Sequence, residues 1–311
     1  MNASRTSHPA SDEMTPGPAA AQLARRAAWA AIAVALFLLV LKIGAGLVTH
    51  SVGLLGLVID SGLDALASAL NLLALREASL PADRDHRFGH GKAEAVAGLG
   101  QGALITGSAV FLVLQSARRL VTPVPVTHSL IGIFVILIAL AATGMLVLYQ
   151  RRIIKRTGSL AIAADSLHYS SDLVLNGAVL AGLALGGISP RADALAGLLV
   201  GLYIAYGALR ILGLAYDQLM DREFAQADRA KIEAIIQRNP EVLHMHELRT
   251  RRAGFDRFIQ LHIELDPAIS LITAHAISDR VEAEIKAAFP AAQVIIHEDP
   301  AGVETLPREP T

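Results

Sequence analysis

Two carboxylates four residues apart, Asp60 and Asp64, stand in the apolar run Leu57-Val58-Ile59-Asp60-Ser61-Gly62-Leu63-Asp64. The same spacing recurs as His168 and Asp172 in Leu167-His168-Tyr169-Ser170-Ser171-Asp172. On a helix, positions i and i+4 share a face one turn, ~5.4 Å, apart. A charge in the middle of a bilayer is costly, and two like charges one turn apart add repulsion. A place at a helix end, or a structural hydrogen bond between helices, would account for one such aspartate. Two i, i+4 pairs on separate apolar runs point instead to a cation held between them. Three carboxylates and one imidazole form a four-ligand set of oxygen and nitrogen. That set suits tetrahedral Zn2+, accepts Cd2+, Fe2+, Co2+ or Mn2+, and does not suit Ca2+, which takes more oxygens. When the metal leaves, His168 and a carboxylate take up protons, so one cluster can couple metal exit to proton entry.

Two further sets of metal-ligating side chains stand outside the apolar runs. The segment Pro81-Ala82-Asp83-Arg84-Asp85-His86-Arg87-Phe88-Gly89-His90-Gly91-Lys92 holds Asp83, His86 and His90, with Gly89 and Gly91 allowing tight turns. Taken alone, two histidines in a charged loop read as readily as solvated side chains. Nearer the C-terminus lie His246, His262, His275, His297 and Asp299, with His244 beside them. Single histidines there would be surface residues, but their density favours metal in a chain with no cysteine. The lack of cysteine also removes disulfides, thiolate zinc clusters and iron–sulfur clusters.

The elements that must position these residues divide the chain between two solvents. Of its 311 residues, 53% are hydrophobic and 18% charged, and the mean hydropathy is +0.47. That is too apolar for an ordinary soluble protein, where about a quarter of residues are charged. The net charge of −1 leaves no basic excess for nucleic acid. Residues 27–80 hold five charged side chains, whereas residues 221–299 hold 24. Six apolar stretches near the ~20 residues of a membrane span run over 27–48, 54–75, 93–114, 130–149, 160–185 and 194–214. The first is not a cleavable signal, since a long polar tail precedes it. Lys and Arg in the short loops fall ten on one side (Arg25, Arg26, Arg76, Arg84, Arg87, Lys92, Arg151, Arg152, Lys155, Arg156) and three on the other (Arg118, Arg119, Arg191). This places both termini in the cytoplasm. Lys42 is expected to snorkel outward from the first span. Gly98-xxx-Gly102 and Gly197-xxx-Gly201 would let helices approach closely, and Asn71 and Asn176 are candidate interhelical partners.

Beyond the sixth span the patterning becomes helix, strand, strand, helix, strand. A helix at 227–238 stops at Asn239-Pro240. Strands follow at 246–252 and 258–265, the second with Ile259, Leu261, Ile263 and Leu265 on one face. A helix at 271–289 and a strand at 294–297 complete an αββαβ unit. The expected division is a disordered tail (1–24), a six-span α-helical transmembrane domain (25–217), a cytoplasmic metal-binding α/β domain (218–300) and a second disordered tail (301–311).

The paired Asp60-xxx-Asp64 and His168-xxx-Asp172, the loop Phe88-Gly89-His90-Gly91-Lys92-Ala93-Glu94 and the ending Val294-Ile295-Ile296-His297-Glu298-Asp299-Pro300 resemble the cation diffusion facilitators. Within that family the resemblance is to its bacterial zinc and ferrous-iron efflux branch, and it extends from the first span to Pro300. It implies a homodimeric metal:proton antiporter of the bacterial inner membrane, with a metallochaperone-like cytoplasmic domain. The resemblance implies Zn2+ as the transported ion, with Cd2+ or Fe2+ as further substrates, and Zn2+ also as a structural ion. By the resemblance, the transport site falls on Asp60, Asp64, His168 and Asp172, and a loop site on Asp83, His86 and His90. A binuclear cytoplasmic site falls on His246, His262, His275, His297 and Asp299, and an intersubunit salt bridge on Lys92 and Asp221. An intramembrane metalloenzyme is disfavoured, because no His-Glu-x-x-His pattern exists and the four-ligand set leaves no open position for water. A membrane metal sensor without flux stays as the alternative.

Overall fold

The computed structural model describes residues 17–49, 52–122, 130–184 and 190–303. Six long helices come first: α1 (Gly17–Thr49), α2 (Val52–Ala78), α3 (Lys92–Val121), α4 (Leu130–Thr157), α5 (Leu160–Ala184) and α6 (Pro190–Leu219). Among the described residues, stretches of α1, α3, α4 and α6 are long and apolar enough to cross a membrane. The other two, α2 and α5, are 27 and 25 residues long and carry the paired acidic and histidine residues. Large apolar side chains such as Phe37, Val40, Phe111, Phe134 and Tyr206 face outward along the bundle, as hydrocarbon surroundings require.

The helix α1 starts at Gly17, eight residues ahead of the expected boundary at 25. Alanines, the strongest helix formers, extend it. Ala20, Ala21 and Ala24 are buried against Leu75 of α2 and Ile162 of α5. The rest of the tails expected to be disordered, 1–16 and 304–311, lies outside the described residues.

Glycines set the closest helix pair, α3 with α6. A Cβ on Gly102 would stand 2.9 Å from Leu212, one on Gly197 2.6 Å from Ser116, and one on Gly201 2.8 Å from Val113. Both small-residue patterns therefore mark real contacts. Lys42 departs from expectation. Its Nζ donates to Ser61 Oγ at 2.5 Å, turning inward toward α2 rather than outward. A buried hydroxyl within reach is a cheaper partner than a stretch through hydrocarbon.

The remaining elements are α7 (Gln226–Ile236), β1 (His244–Ala253), β2 (Asp256–Leu265), α8 (Leu271–Ala288) and β3 (Ala292–Pro300), the expected αββαβ order. The sheet runs β1-β2-β3, with β1/β2 antiparallel and β2/β3 parallel. Ile259, Leu261, Ile263 and Leu265 are buried on one face against Ile232, Ile236, Val281, Ile285 and Phe289 of the helices and their ends. Ser270 caps α8, its Oγ accepting from the Thr273 N–H at 3.2 Å. Alternation puts His262 of β2 on the opposite, helix-free face, and a β-bulge between His246 and Arg249 turns His246 of β1 to that side too, away from the buried Leu248 and Thr250.

The β1–β2 turn joins this domain to the bundle. Gly254 adopts φ +59, which a tight hairpin needs at its first turn residue. A Cβ on Gly91, at the start of α3, would stand 2.0 Å from the Ala253 carbonyl oxygen. Phe255, next in the turn, is buried among residues of α1, α2, α4 and α5. Alongside, Arg251 stacks over Phe258 at 4.3 Å and Phe88 at 5.0 Å. Burial pulls the Arg252 guanidinium down to about 10, with the Arg257 charge acting in the same direction and Glu94 opposing it.

Replacing Gly91 by Ala forces the hairpin away from α3. It is expected to cost roughly 1–3 kcal/mol, read as a lower Tm in detergent. Gly100→Ala, whose Cβ meets nothing within 4 Å, is expected to leave Tm near that of the wild type.

Candidate metal centre

Helices α2 and α5 meet along a polar seam, and the first candidate site lies on it. His168 Nε2 is 2.9 Å from Asp64 Oδ1 and 3.8 Å from Asp172 Oδ2. One imidazole nitrogen thus faces two carboxylates, and ligand atoms of all three residues lie within 4.8 Å of one another. Their side chains are 16%, 24% and 30% exposed for Asp64, His168 and Asp172, so the site is sheltered without being sealed. The backbone of Asp60 is helical, one turn before Asp64 on α2; its side chain lies outside the described residues.

The N-terminus of α5 is fixed by side chains. Ser159 Oγ accepts from the Ile162 N–H at 3.3 Å, an N-cap bond. Glu94 of α3, fully buried, accepts from the Ser159 hydroxyl and from the Ala161 N–H at 3.3 Å. A carboxylate at a helix N-terminus is favoured by the free N–H groups and the helix dipole. Asn71 of α2 donates to the Ala161 carbonyl at 3.3 Å, so its interhelical role is realised.

Spacing singled out the i, i+4 pairs and passed over Asp165, three residues before His168. Asp165 is completely buried, with Gln101, Gln150 and Ser68 pointing donors at its carboxylate. An acidic residue inside an apolar stretch was the available signal.

The loop set also comes together. Asp83 Oδ1 accepts from the backbone N–H groups of His86 at 2.6 Å and Asp85 at 2.9 Å. The His86 N–H bond holds the Asp83 carboxyl below the usual carboxylate range, with the nearby histidines acting in the same sense and desolvation opposing. Asp83 Oδ2 lies 3.3 Å from His90 Nε2, and the two imidazole rings are 4.5 Å apart. His90 Nδ1 is buried with no hydrogen-bond partner, a free nitrogen inside a cluster of ligand-type groups. Glu77, 3.9 Å from His90, is a neighbour the loop pattern did not contain.

In the α/β domain, strand register lines up His246, His262 and His297 on β1, β2 and β3. Asp299 reaches all three, with contacts of 3.4 Å to His246, 2.9 Å to His262 and 3.4 Å to His297. Glu264 and Glu247 flank the group at 3.6 Å from His246 and 3.9 Å from His262. His275 stands apart: on the exposed face of α8 it faces Asp279 at 3.6 Å, outside this cluster. Lys92 and Asp221, expected to bridge two subunits, meet within one chain at 3.0 Å, and Arg251 reaches the same carboxylate at 3.3 Å.

Comparison with known proteins follows this division. Residues 28–220 match the cation efflux transmembrane domain, and residues 225–301 match the cytoplasmic domain of cation efflux proteins. The cation-efflux pump FieF of Shigella flexneri serotype 5b (strain 8401) is 45% identical over 289 residues, covering 93% of this chain and 96% of the relative. FieF of Escherichia coli O1:K1 / APEC gives the same identity and coverage. Among solved structures, the zinc form of the putative zinc transporter CzrB is 30% identical with TM-score 0.26, covering 28% of this chain and 99% of that one. The metal-bound C-terminal domain of the CzcD transporter from Thermotoga maritima is likewise 30% identical, with TM-score 0.25, covering 26% of this chain and 100% of that domain.

Because Asp299 alone touches every histidine of the strand cluster, Asp299→Ala is expected to cost more zinc affinity there than His246→Ala or His297→Ala, by about 10- to 100-fold. Calorimetric zinc titration of the full chain checks this ranking.

Proposed function

The chain belongs to the cation efflux family of membrane transporters, and on that premise we propose that it exports Zn2+ from the cytoplasm in exchange for protons, with Cd2+ and Fe2+ as further substrates. The convergence of Asp64, His168 and Asp172 inside a membrane bundle carries this reading. Asp60, a turn away on α2, completes a four-ligand set for a tetrahedral dication.

Asp64 and Asp172 supply negative charge, and His168 Nε2 supplies a neutral nitrogen directed at the same point. With the dication bound, ligand repulsion is offset. As it leaves, the imidazole and a carboxylate take protons in its place. Alternating access delivers the dication from one side and protons from the other, by rocking of helices around a fixed site. Close α3–α6 packing and the capped α5 N-terminus give that motion stiff parts to move.

Both termini are cytoplasmic in this reading, with the membrane part ending near residue 217 and the soluble part spanning 218–300. The ten-to-three excess of basic loop residues supports it. So does packing, since the first turns of α1, α3 and α5 all lie at the end of the bundle that meets the hairpin turn. The inner membrane of a bacterium is the proposed setting, and the working form is a homodimer. The Asp83, His86 and His90 set takes a metal at the loop. His246, His262, His297 and Asp299 hold structural Zn2+ that tightens the dimer, with His275 contributing to a second ion of the pair. Lys92 and Asp221 brace the junction of membrane and soluble parts.

Metal-driven proton flux in proteoliposomes, compared across Zn2+, Cd2+, Fe2+ and Mn2+, tests the proposal. Asp64→Ala is expected to abolish flux while leaving a folded dimer, whereas His297→Ala is expected to loosen the dimer and retain partial transport. Wild-type uptake by Asp64→Ala would overturn the site. Metal binding by the wild type with no flux would make the chain a sensor.

A further inference from the structure

Three amide oxygens lie buried without a hydrogen-bond donor in the core of the bundle: Gln101 Oε1 on α3, Gln150 Oε1 on α4 and Asn71 Oδ1 on α2. The two glutamines meet at Asp165. The nitrogen of the Gln101 amide reaches Asp165 Oδ1 at 3.1 Å, and that of Gln150 reaches Oδ2 at 2.6 Å. Ser68 Oγ stands 3.5 Å from Oδ1 and 2.9 Å from the Tyr169 hydroxyl, which in turn donates to the Ala31 carbonyl at 3.4 Å. Asn71 lies on the same face of α2 and bonds Ala161, one turn before Asp165. Asp165 and Gln150 are 0% exposed, Ser68 and Tyr169 1%, Asn71 3% and Gln101 7%.

The group is therefore rich in oxygen and poor in positive charge. A buried acceptor left unpaired costs about 1–3 kcal/mol, and an unbalanced carboxylate in a bilayer costs more. A carboxamide can present either end, so each amide that now donates can turn its oxygen toward a positive charge on Asp165.

We propose that Asp165, Gln101, Gln150 and Ser68 form a second, inner cation site that takes one monovalent cation, a proton or an alkali-metal ion. Charge decides the valence. The transport set, with three carboxylates, has charge enough for a dication, whereas a single carboxylate among neutral oxygens balances one positive charge. Position decides the role. Asp165 sits three residues, ~4.5 Å of helix, from His168, on the side where Ala161 and Ile162 pack with Phe255 of the soluble domain. The site thus lies between the transport cluster and the cytoplasmic end, where a proton first taken up by His168 and its carboxylates, the counter-cation of the exchange, is held on its way into the cytoplasm. The titratable groups facing Asp165 are His168 and Tyr169 of its own helix, while α2, α3 and α4 present the uncharged Ser68, Gln101 and Gln150. This role rests on the exchange reading above, but occupancy of the site does not.

Infrared difference spectroscopy on the full chain in lipid vesicles tests occupancy without any transport. The wild type is expected to show either of two signatures at neutral pH. One is the carbonyl band of a protonated carboxylic acid, insensitive to Na+ and K+, which identifies a proton. The other is a carboxylate stretch that shifts on adding Na+ or K+, which identifies an alkali ion. The signature is expected to vanish in Asp165→Asn and to move in frequency in Gln150→Met, the second variant guarding against a failure of the first to fold. Neither signature in the wild type would overturn the site. In zinc uptake by proteoliposomes, Asp165→Asn is expected to be slowed at least about tenfold with zinc affinity held within about threefold. Wild-type uptake by that variant would overturn the counter-cation role, and lost zinc affinity would make Asp165 a support for His168 instead.

Discussion

Charge in hydrocarbon must be answered by an opposite charge or by a full set of hydrogen bonds, and this constraint organises the bundle. Each buried acid has a different answer. Glu94 is held by the N-terminus of α5, Asp165 by amide donors from two neighbouring helices, and Asp64 by the imidazole of His168. These bonds join α2, α3, α4 and α5 along one seam. Helices that share no hydrophobic driving force in lipid are thereby held in register by their polar residues. The seam ends at Asp64, His168 and Asp172, where two carboxylates face one imidazole.

The soluble domain is attached where this seam begins. Gly91 and Gly254 bring two backbones into contact that no side chain would permit, and Phe255 fills the space among the helix ends. Lys92, Arg251 and Asp221 share charge beside them. The strand that ends at this turn, β1, carries His246 toward its other end. The histidine cluster is thus joined to the start of α3, and through Glu94 to the start of α5, by one strand that is bulged between His246 and Arg249. The loop set, with His90 directly before Gly91, lies at the same junction.

Much of this was legible in the sequence because the signals are physical requirements. Charged pairs at helical spacing in apolar runs need partners on a neighbouring helix, and Asp64 meets His168 across α2 and α5, while Ile259, Leu261, Ile263 and Leu265 could only be one face of a strand. Gly98, Gly102, Gly197 and Gly201 had the pattern of close packing and proved to pack closely. What escaped depends on neighbours distant in sequence. Nothing near Lys42 indicated that Ser61 would be within reach. The bonds of Asp165 come from residues 64 positions earlier and 15 earlier, and no local pattern encodes them. The line of His246, His262 and His297 needs a strand register, one pairing of which is parallel. His275 shares the residue type of that group but not its place, and the start of α1 was misjudged because an alanine-rich stretch looks like a tail until it has something to pack on.

The most direct test of the central claim is X-ray absorption at the zinc edge, on full-length protein whose loop and strand ligands have been replaced so that only the bundle can hold the ion. A first shell of four oxygen and nitrogen ligands at roughly 2.0–2.2 Å, with the outer-shell scattering of a single imidazole that disappears in His168→Ala, is the predicted result. A shell of six oxygens, or an imidazole signal that persists without His168, would contradict it.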